Sequence, residues 1–249
     1  MNSTKRSELK HKASVLAEKM REDLHLSSTM PLSIHQAVRE NNIQTYFRPM
    51  DDGCSGMAVK VNDSRFMMIN TNKPLGHQRF TCCHEFYHLL YQERFTSVKE
   101  NTALFIDSDQ EEFTADWFAS FLLLPENGIK YHLLPEEIQK DRISIDTLLK
   151  IEHIFRCSRR TLLFRLKDMG LISSGYFDFH CTNVKYTSSR YGYPIDIYEA
   201  SRKVEFIGDY NVKARELFDK GLISQAKYDS LLEDIGIDFS KQTEDNGEV

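Results

Sequence analysis

Residues 84–88 read HEFYH, two histidines four positions apart with a glutamate directly after the first. On a helix, side chains four residues apart lie one turn above each other, so His84 and His88 present both imidazoles to one point in space. Neutral imidazole nitrogens suit zinc, and the carboxylate of Glu85 can take a proton from water that zinc has acidified. The stretch therefore predicts a zinc-binding helix. The alternative is a pair of histidines on a helix face held by polar neighbours.

The next predicted helix, residues 110–124, is stopped by Pro125. It carries two acidic residues four positions apart, Glu112 and Asp116. Catalytic zinc takes three protein ligands, and Glu112 supplies a third. Asp116, one turn later, can accept a hydrogen bond from the second nitrogen of a ligand histidine. The alternative is a solvated acidic helix start, which the helix dipole favours. Because the rest of this helix is largely apolar, we favour a bound metal.

The segments before these helices predict a small sheet. Residues 57–61 and 65–70 are strand-like, and residues 62–64 have the composition of a tight turn between them. The HEFYH helix is predicted from about Gln78 to Gln92. The order strand, strand, helix, helix indicates an α+β domain.

Three further segments flank this unit. The first residues place apolar side chains at helical spacing and predict an amphipathic helix. A helix, tight turn and helix, with Ser158 as the cap of the second, form a helix-turn-helix-like outline after the predicted metal site. The last segment predicts irregular strands over 175–208, then a helical pair and an acidic tail. The predicted units are an N-terminal helix 1–28, a domain 29–139 that contains the predicted zinc site, a helix-turn-helix-like segment 140–173 and a C-terminal extension 174–249.

The whole-chain composition excludes several classes of protein. With 32 basic and 37 acidic residues in 249, the net charge of -5 argues against a nucleic-acid binder along its full length. No apolar stretch approaches the roughly 20 residues of a membrane-spanning helix, and the first thirty residues lack the apolar core of a secretory signal. Five cysteines without a CxxC pair indicate reduced thiols. We therefore expect a cytoplasmic protein.

Residues 139–172 are locally basic, with eight Lys and Arg against four Asp and Glu. Arg159, Arg160 and Arg165 lie in the second predicted helix of this segment, where a recognition helix would contact DNA or a partner. The alternative, which we favour, is that these helices support the domain that contains the predicted zinc site.

Cys54 precedes the first predicted strand. A thiolate near zinc could occupy the open coordination position and silence an enzyme. The alternative, which we favour, is a small residue at the start of a strand.

The motifs together resemble the signature of the ImmA/IrrE family of metallo-endopeptidases. They comprise RFT at 79–81, HExxH at 84–88, and a run from 112 to 125 that reads ExxADxFAxxLLLP. With the hairpin before them and the helix-turn-helix-like segment after them, the resemblance covers about residues 30–172. It implies a zincin-like minimal metallopeptidase fold, with a small sheet, an HExxH helix and a second ligand helix.

The resemblance also implies roles for individual residues. One zinc ion per chain is bound by His84, His88 and Glu112, and Glu85 is the catalytic base that acts on zinc-activated water. Two positions depart from the family pattern, because the family usually has glycine at the position of Tyr87 and often asparagine at that of Asp116.

Family members encoded on mobile genetic elements or in stress responses cleave a helix-turn-helix transcriptional repressor, which relieves repression. The resemblance therefore implies such a repressor as the protein substrate. We expect the extended substrate to add as a strand to the edge of the hairpin. The competing hypothesis is a non-catalytic transcriptional regulator or partner-binding module, whose metal is structural or absent.

A further donor for the oxyanion is expected besides zinc. The candidates are Tyr176, His180 and His132, and for each of them a structural or surface role is the favoured alternative.

Overall fold

The computed structural model describes residues 1–93, 95, 97–100 and 109–237. The α-helices are α1 (Ser3–Asp23), α2 (Ile34–Glu40), α3 (Leu75–Leu90), α4 (Gln110–Leu123), α5 (Glu126–His132), α6 (Ile145–Phe155), α7 (Arg159–Asp168), α8 (Ser174–His180), α9 (Val184–Arg190), α10 (Tyr210–Asp219) and α11 (Gln225–Asp234). The strands are β1 (Ile43–Arg48), β2 (Gly56–Val61), β3 (Ser64–Asn70), β4 (Ser97–Glu100) and β5 (Glu205–Ile207). Single turns of 3-10 helix cover Pro135–Ile138 and Asp196–Tyr198.

The strands form one mixed sheet in the order β4-β2-β3-β1-β5. The predicted hairpin is confirmed: β2 and β3 are antiparallel, with Val61 opposite Ser64. Asn62, in the turn between them, adopts φ 53°, a left-handed conformation that Asn tolerates better than most residues. Among the described strands, only β1 and β3 run parallel. The sheet and the helices together confirm the α+β fold.

Both strands of the hairpin have a second neighbour, because β2 also pairs with β4 and β3 also pairs with β1. A central strand has no free hydrogen-bonding edge, so the prediction that a substrate strand adds to the hairpin is wrong. Among the described strands, the outer edges belong to β4 and β5.

The core lies between the sheet and α3 on one side and between α1 and α4 on the other. Ala13 and Ala17 of α1 and Ala115 and Ala119 of α4 are buried. Small side chains on both helices let their backbones approach closely. Residues from α1 through α7 contribute to one continuous apolar cluster. The N-terminal helix therefore packs into the core of the fold, and the four-part domain division stays a prediction.

The helix-turn-helix-like outline is present as α6 and α7. Arg156 ends α6 in the left-handed conformation, and the side chain of Ser158 caps α7 by accepting from the backbone N–H of Thr161. The start of α7 abuts α3: a Cβ on Gly76 would lie 2.8 Å from the backbone nitrogen of Ser158. Only glycine at position 76 allows this approach, which joins α7 to the helix of the HEFYH motif.

The prediction of irregular strands over 175–208 is wrong for most of that segment. It folds into α8, α9 and a turn of 3-10 helix, and only β5 is a strand. Helices of seven residues span barely two turns, too short for an apolar periodicity of 3.6 to emerge. The predicted helical pair is confirmed as α10 and α11, whereas the acidic tail Glu244–Val249 lies outside the described residues.

All five cysteines are free thiols, as predicted. In the part of the chain that the structure describes, none of the helices has the length and apolar character needed to cross a membrane.

Candidate metal centre

Helices α3 and α4 bring three potential ligands together. The Nε2 atoms of His84 and His88 lie 3.0 Å apart. Oε2 of Glu112 is 3.2 Å from Nε2 of His84, and Oε1 is 3.5 Å from Nε2 of His88. Both imidazoles are buried, whereas the side chain of Glu112 is 28% exposed. Within the described residues, no other group of three His, Cys, Asp or Glu side chains converges in this way.

The donor set fits zinc in both chemistry and spacing. Two imidazole nitrogens and one carboxylate are a common catalytic zinc site, which leaves one position open. With metal–ligand distances of about 2.0–2.1 Å, ligands on a tetrahedral ion lie about 3.3–3.5 Å apart. The observed distances of 3.0, 3.2 and 3.5 Å are close to that spacing. Burial and the neighbouring His84 ring also lower the pKa of His88, which favours its neutral, metal-binding form.

Each histidine has an acceptor for its other ring nitrogen. Nδ1 of His84 lies 2.9 Å from Oδ1 of Asp116, and Nδ1 of His88 is hydrogen-bonded to Oε1 of Gln92. A proton held at Nδ1 leaves the lone pair of Nε2 free for the metal. Asp116 was predicted from the sequence as such an acceptor, whereas Gln92 was not. Its position four residues after His88 was the available signal, because that spacing places it on the same helix face.

The carboxyl group of Glu85 is fully buried and faces the start of β2. A Cβ on Gly56 would lie 3.3 Å from Oε1 of Glu85 and 2.5 Å from Cγ2 of Thr81. Glycine at position 56 therefore allows the first residue of β2 to approach α3 beside the carboxylate. This close approach joins two segments far apart in the chain and was not predicted from the sequence.

Tyr87, where the family usually has glycine, points away from the cleft into the interface of α1, α3 and α4. Its hydroxyl donates to Oε2 of Glu111 at 2.6 Å, and the ammonium group of Lys12 lies 3.5 Å from the same hydroxyl. Its ring packs against Phe118. Burial raises the pKa of Tyr87 above its usual value, so it stays a neutral donor. The bulky residue thus links the helices and does not fill the metal site.

The other predicted site residues have contacts of their own. The thiol of Cys54 is buried and donates to the carbonyl of Gly56 at 3.2 Å, and its sulfur is not among the converging ligand atoms. The hydroxyl of Tyr176 donates to the carbonyl of Ile143, the ring of His180 packs on that of Tyr176, and the ring of His132 packs edge-on against Phe155. These contacts fit structural roles, and the roles in silencing and oxyanion binding stay predictions.

Two of the three arginines proposed for DNA contact are buried. Arg159 forms an ion pair with the buried Glu152, and Arg165 donates to the carbonyl of Leu124 at 3.1 Å. Their exposed fractions are 3% and 1%, so neither guanidinium group can reach a phosphate, and the DNA-contact prediction is wrong for both. Arg160 is exposed and stacks over the ring of Phe164. The burial of α7 instead supports the alternative in which it buttresses the metal-site helices.

The sequence of the chain matches one family of known proteins. No curated protein is significantly similar to the chain in sequence. The model of a metallopeptidase family, peptidase M78 with the IrrE N-terminal-like domain, matches residues 38–167, just over half of the chain. The match runs from α2 through α3 and α4, with the converging ligands, to α7. The chain therefore belongs to the IrrE N-terminal-like domain family of M78 metallopeptidases.

Proposed function

We propose that this chain is a zinc-dependent endopeptidase, with His84, His88 and Glu112 as ligands to one zinc ion and Glu85 as general base. The observation that carries the proposal is the convergence of two imidazole nitrogens and a carboxylate within 4.8 Å of one another. Glu85 follows the first of these histidines on the same helix. The family of the chain supports the same activity.

Each residue of the candidate site has its own part in the proposed hydrolysis. Zinc, when bound, polarises a scissile carbonyl and lowers the pKa of a water molecule. Glu85 takes the proton from the attacking water and returns it to the leaving amine. Its burial beside Gly56 keeps bulk water away from this proton transfer. Asp116 and Gln92 hold the two imidazole rings in place throughout.

The proposed substrate is an extended segment of a helix-turn-helix repressor in the cytoplasm. The outer edge of β4 is the place for strand addition, because β4 pairs with β2 and Gly56 of β2 lies opposite Glu100. A strand added to this edge would run close to the end of β2 that meets Glu85. The free cysteines agree with a reducing compartment.

The experiment compares wild type, Glu85→Gln and the matched control Glu136→Gln, an exposed glutamate on the 3-10 turn. Each variant is purified, its zinc is measured by mass spectrometry, and it is co-expressed with the repressor encoded beside its gene. Glu85→Gln should retain about one zinc per chain and slow repressor cleavage by 10²- to 10⁴-fold, the usual contribution of a general base. Glu136→Gln should match wild type.

The same experiment separates the peptidase from a non-catalytic regulator. A regulator would leave the repressor intact in all three strains, with or without zinc. Equal loss of the repressor with wild type and Glu85→Gln would contradict the assigned role of Glu85.

A further inference from the structure

A cavity of about 280 Å³ lies beside the first two turns of α3, where they meet α2, the end of β1 and the segment that leads into β5. Four of its residues belong to α3 and share one helix face, because they are spaced three or four positions apart: Leu75, Gln78, Arg79 and Cys82. Among the described residues that line the cavity, none is a candidate metal ligand. The cavity is therefore separate from the candidate metal centre.

The cavity carries an excess of positive charge. Arg79, Arg156 and Lys203 line it, and the one carboxylate among its described lining residues is that of Glu205. This carboxylate is paired outside the set of cations, since its Oε1 lies 2.8 Å from Nε2 of His35. Three cations against one carboxylate favour a ligand that is an anion.

Arg79 is the cation that most needs a countercharge. Its Nη2 donates to the carbonyl of Leu32 at 2.6 Å, whereas its buried Nε has no hydrogen-bond partner among the described residues. Burial lowers the pKa of Arg79 and the charge of Arg156 lowers it too, while Arg156 itself forms an ion pair with Asp196. A guanidinium group stays charged in proteins, and a buried charge without an opposite charge beside it is costly. An anion in the cavity would remove that cost.

The rest of the lining suits the organic part of a ligand. Ile34, Phe47 and Leu75 supply apolar side chains. Thr71 adds a buried hydroxyl group that has no hydrogen-bond partner among the described residues. The volume is close to the lower end of the range for small-ligand pockets. Charge, lining and volume thus agree on a small anion with an apolar body.

We propose that this cavity is a binding site for a small organic anion, whose carboxylate or phosphate group lies at Arg79 and Lys203 and whose apolar body packs against Phe47 and Leu75. The proposal does not rest on the proposed peptidase function, because the site shares no residue with it. A ligand that binds only the folded chain stabilises it by mass action, so binding can be measured without any substrate.

The full chain is titrated with benzoate, with phenyl phosphate and with the neutral benzamide, and binding is followed by ligand-observed NMR and by thermal unfolding. At least one of the two anions should saturate with a Kd of about 1 mM or tighter and raise Tm, and benzamide should bind at least about tenfold more weakly. The tighter of the two anions identifies the charged group. Zinc-loaded and metal-free protein should give the same Kd, since the site lies away from the metal centre.

Two substitutions locate the site. Arg79→Met should weaken binding of the tighter anion by about 10- to 100-fold, the usual effect of losing a hydrogen bond to a charged group. Lys203→Glu, at an exposed position of the lining, should weaken it by about threefold to fivefold. The matched control Lys227→Glu, on an exposed position of α11, should bind as wild type does.

If Arg79→Met does not fold, the comparison of Lys203→Glu with Lys227→Glu decides. Equal affinities of these two variants would overturn the site, as would an equal affinity of wild type for benzoate, phenyl phosphate and benzamide or saturation by neither anion. Binding that disappears when zinc is removed would place the anion at the metal centre and would also overturn the proposal. None of these outcomes bears on peptidase activity, which is measured separately.

Discussion

Nδ1 of His84 lies 2.9 Å from Oδ1 of Asp116, so a residue of α4 orients the ring that α3 presents to the candidate metal centre. Gln92 makes the corresponding contact to His88 from just beyond the end of α3. The two supports differ in charge, since one acceptor is a carboxylate and the other a neutral amide. A carboxylate acceptor makes its imidazole the more basic ligand. His84 should therefore depend on its support more strongly than His88.

Removing the Asp116 carboxylate should weaken zinc binding. Asp116→Ala is expected to raise the Kd for zinc by about 10- to 100-fold, the usual effect of losing such a support. Asp116→Asn, which keeps an Oδ1 acceptor, should lose less, and Gln92→Leu should fall between wild type and Asp116→Ala. Competition with a chromogenic chelator measures all four affinities. A Kd for Asp116→Ala equal to that of wild type would show that Asp116 does not support the ligand.

A side chain at position 56 should displace the carboxylate of Glu85, because β2 lies very close to α3 there. The new methyl group of Gly56→Ala would lie 2.5 Å from Cγ2 of Thr81 and 3.3 Å from Oε1 of Glu85. We expect a loss of about 1–3 kcal/mol in the free energy of unfolding, as for other overpacked sites. Peptidase activity should fall at least about tenfold as the carboxylate shifts.

Thr81→Ser provides the rescue for this substitution, because it removes Cγ2 and keeps the hydroxyl that donates to the carbonyl of His77. The double variant Gly56→Ala/Thr81→Ser should regain part of both losses. Thermal unfolding and single-turnover cleavage measure them. Additive effects of the two substitutions would contradict a direct clash between these side chains.

The convergence of the candidate ligands could be predicted from the sequence because it depends on local spacing. His84, His88, Glu112 and Asp116 lie on two strongly patterned helices, and the four-residue spacing alone places each pair on one face. Gln92 has the same four-residue spacing from His88, but it lies beyond the end of α3, where helical spacing alone does not fix the direction of a side chain.

The order of the strands in the sheet could not be predicted from the sequence. A hairpin follows from two strands and a turn, but the pairing of β2 with β4 and of β3 with β1 joins segments far apart in the chain. No local pattern encodes such pairing. The burial of Arg159 could not be predicted for a similar reason. Its partner Glu152 lies on the preceding helix, and charged residues are by default expected at the surface.

The two neighbouring arginines of α7 should respond very differently to substitution. Arg159→Met leaves the buried carboxylate of Glu152 without its ion pair, which should cost about 3–5 kcal/mol in the free energy of unfolding. Arg160→Met changes an exposed side chain and should stay within about 0.5 kcal/mol of wild type. Urea unfolding of both variants tests this contrast. Equal losses would contradict the buried ion pair.

The Arg159→Met penalty should also depend on pH. Burial raises the pKa of Glu152, so without the arginine the folded state favours the protonated carboxyl. A raised carboxyl pKa contributes stability at low pH that is lost as the pH rises through the folded pKa. The difference between Arg159→Met and wild type should therefore shrink when unfolding is measured at pH 5 instead of pH 8. A constant difference would show that the lost contact is not ionic.

His77 should make the fold sensitive to mild acid. Burial and the charge of Lys73 lower the pKa of His77 to about 4 from an ordinary value of 6.5. Between these two values the unfolded chain binds a proton that the folded chain does not, so stability falls as the pH drops through this window. The difference between these two pKa values corresponds to about 3 kcal/mol once the window is crossed, of which about 2 kcal/mol is lost by pH 5.

His77→Gln removes this titration, so the metal-free variant should lose about 2 kcal/mol less stability than metal-free wild type between pH 7.5 and pH 5. Metal-free protein is used so that zinc release does not contribute to the change. The matched control His11→Gln replaces an exposed histidine of α1 and should give a curve parallel to that of wild type. Urea unfolding at four pH values measures all three curves. A parallel curve for His77→Gln would contradict the burial of a neutral imidazole against Ser55.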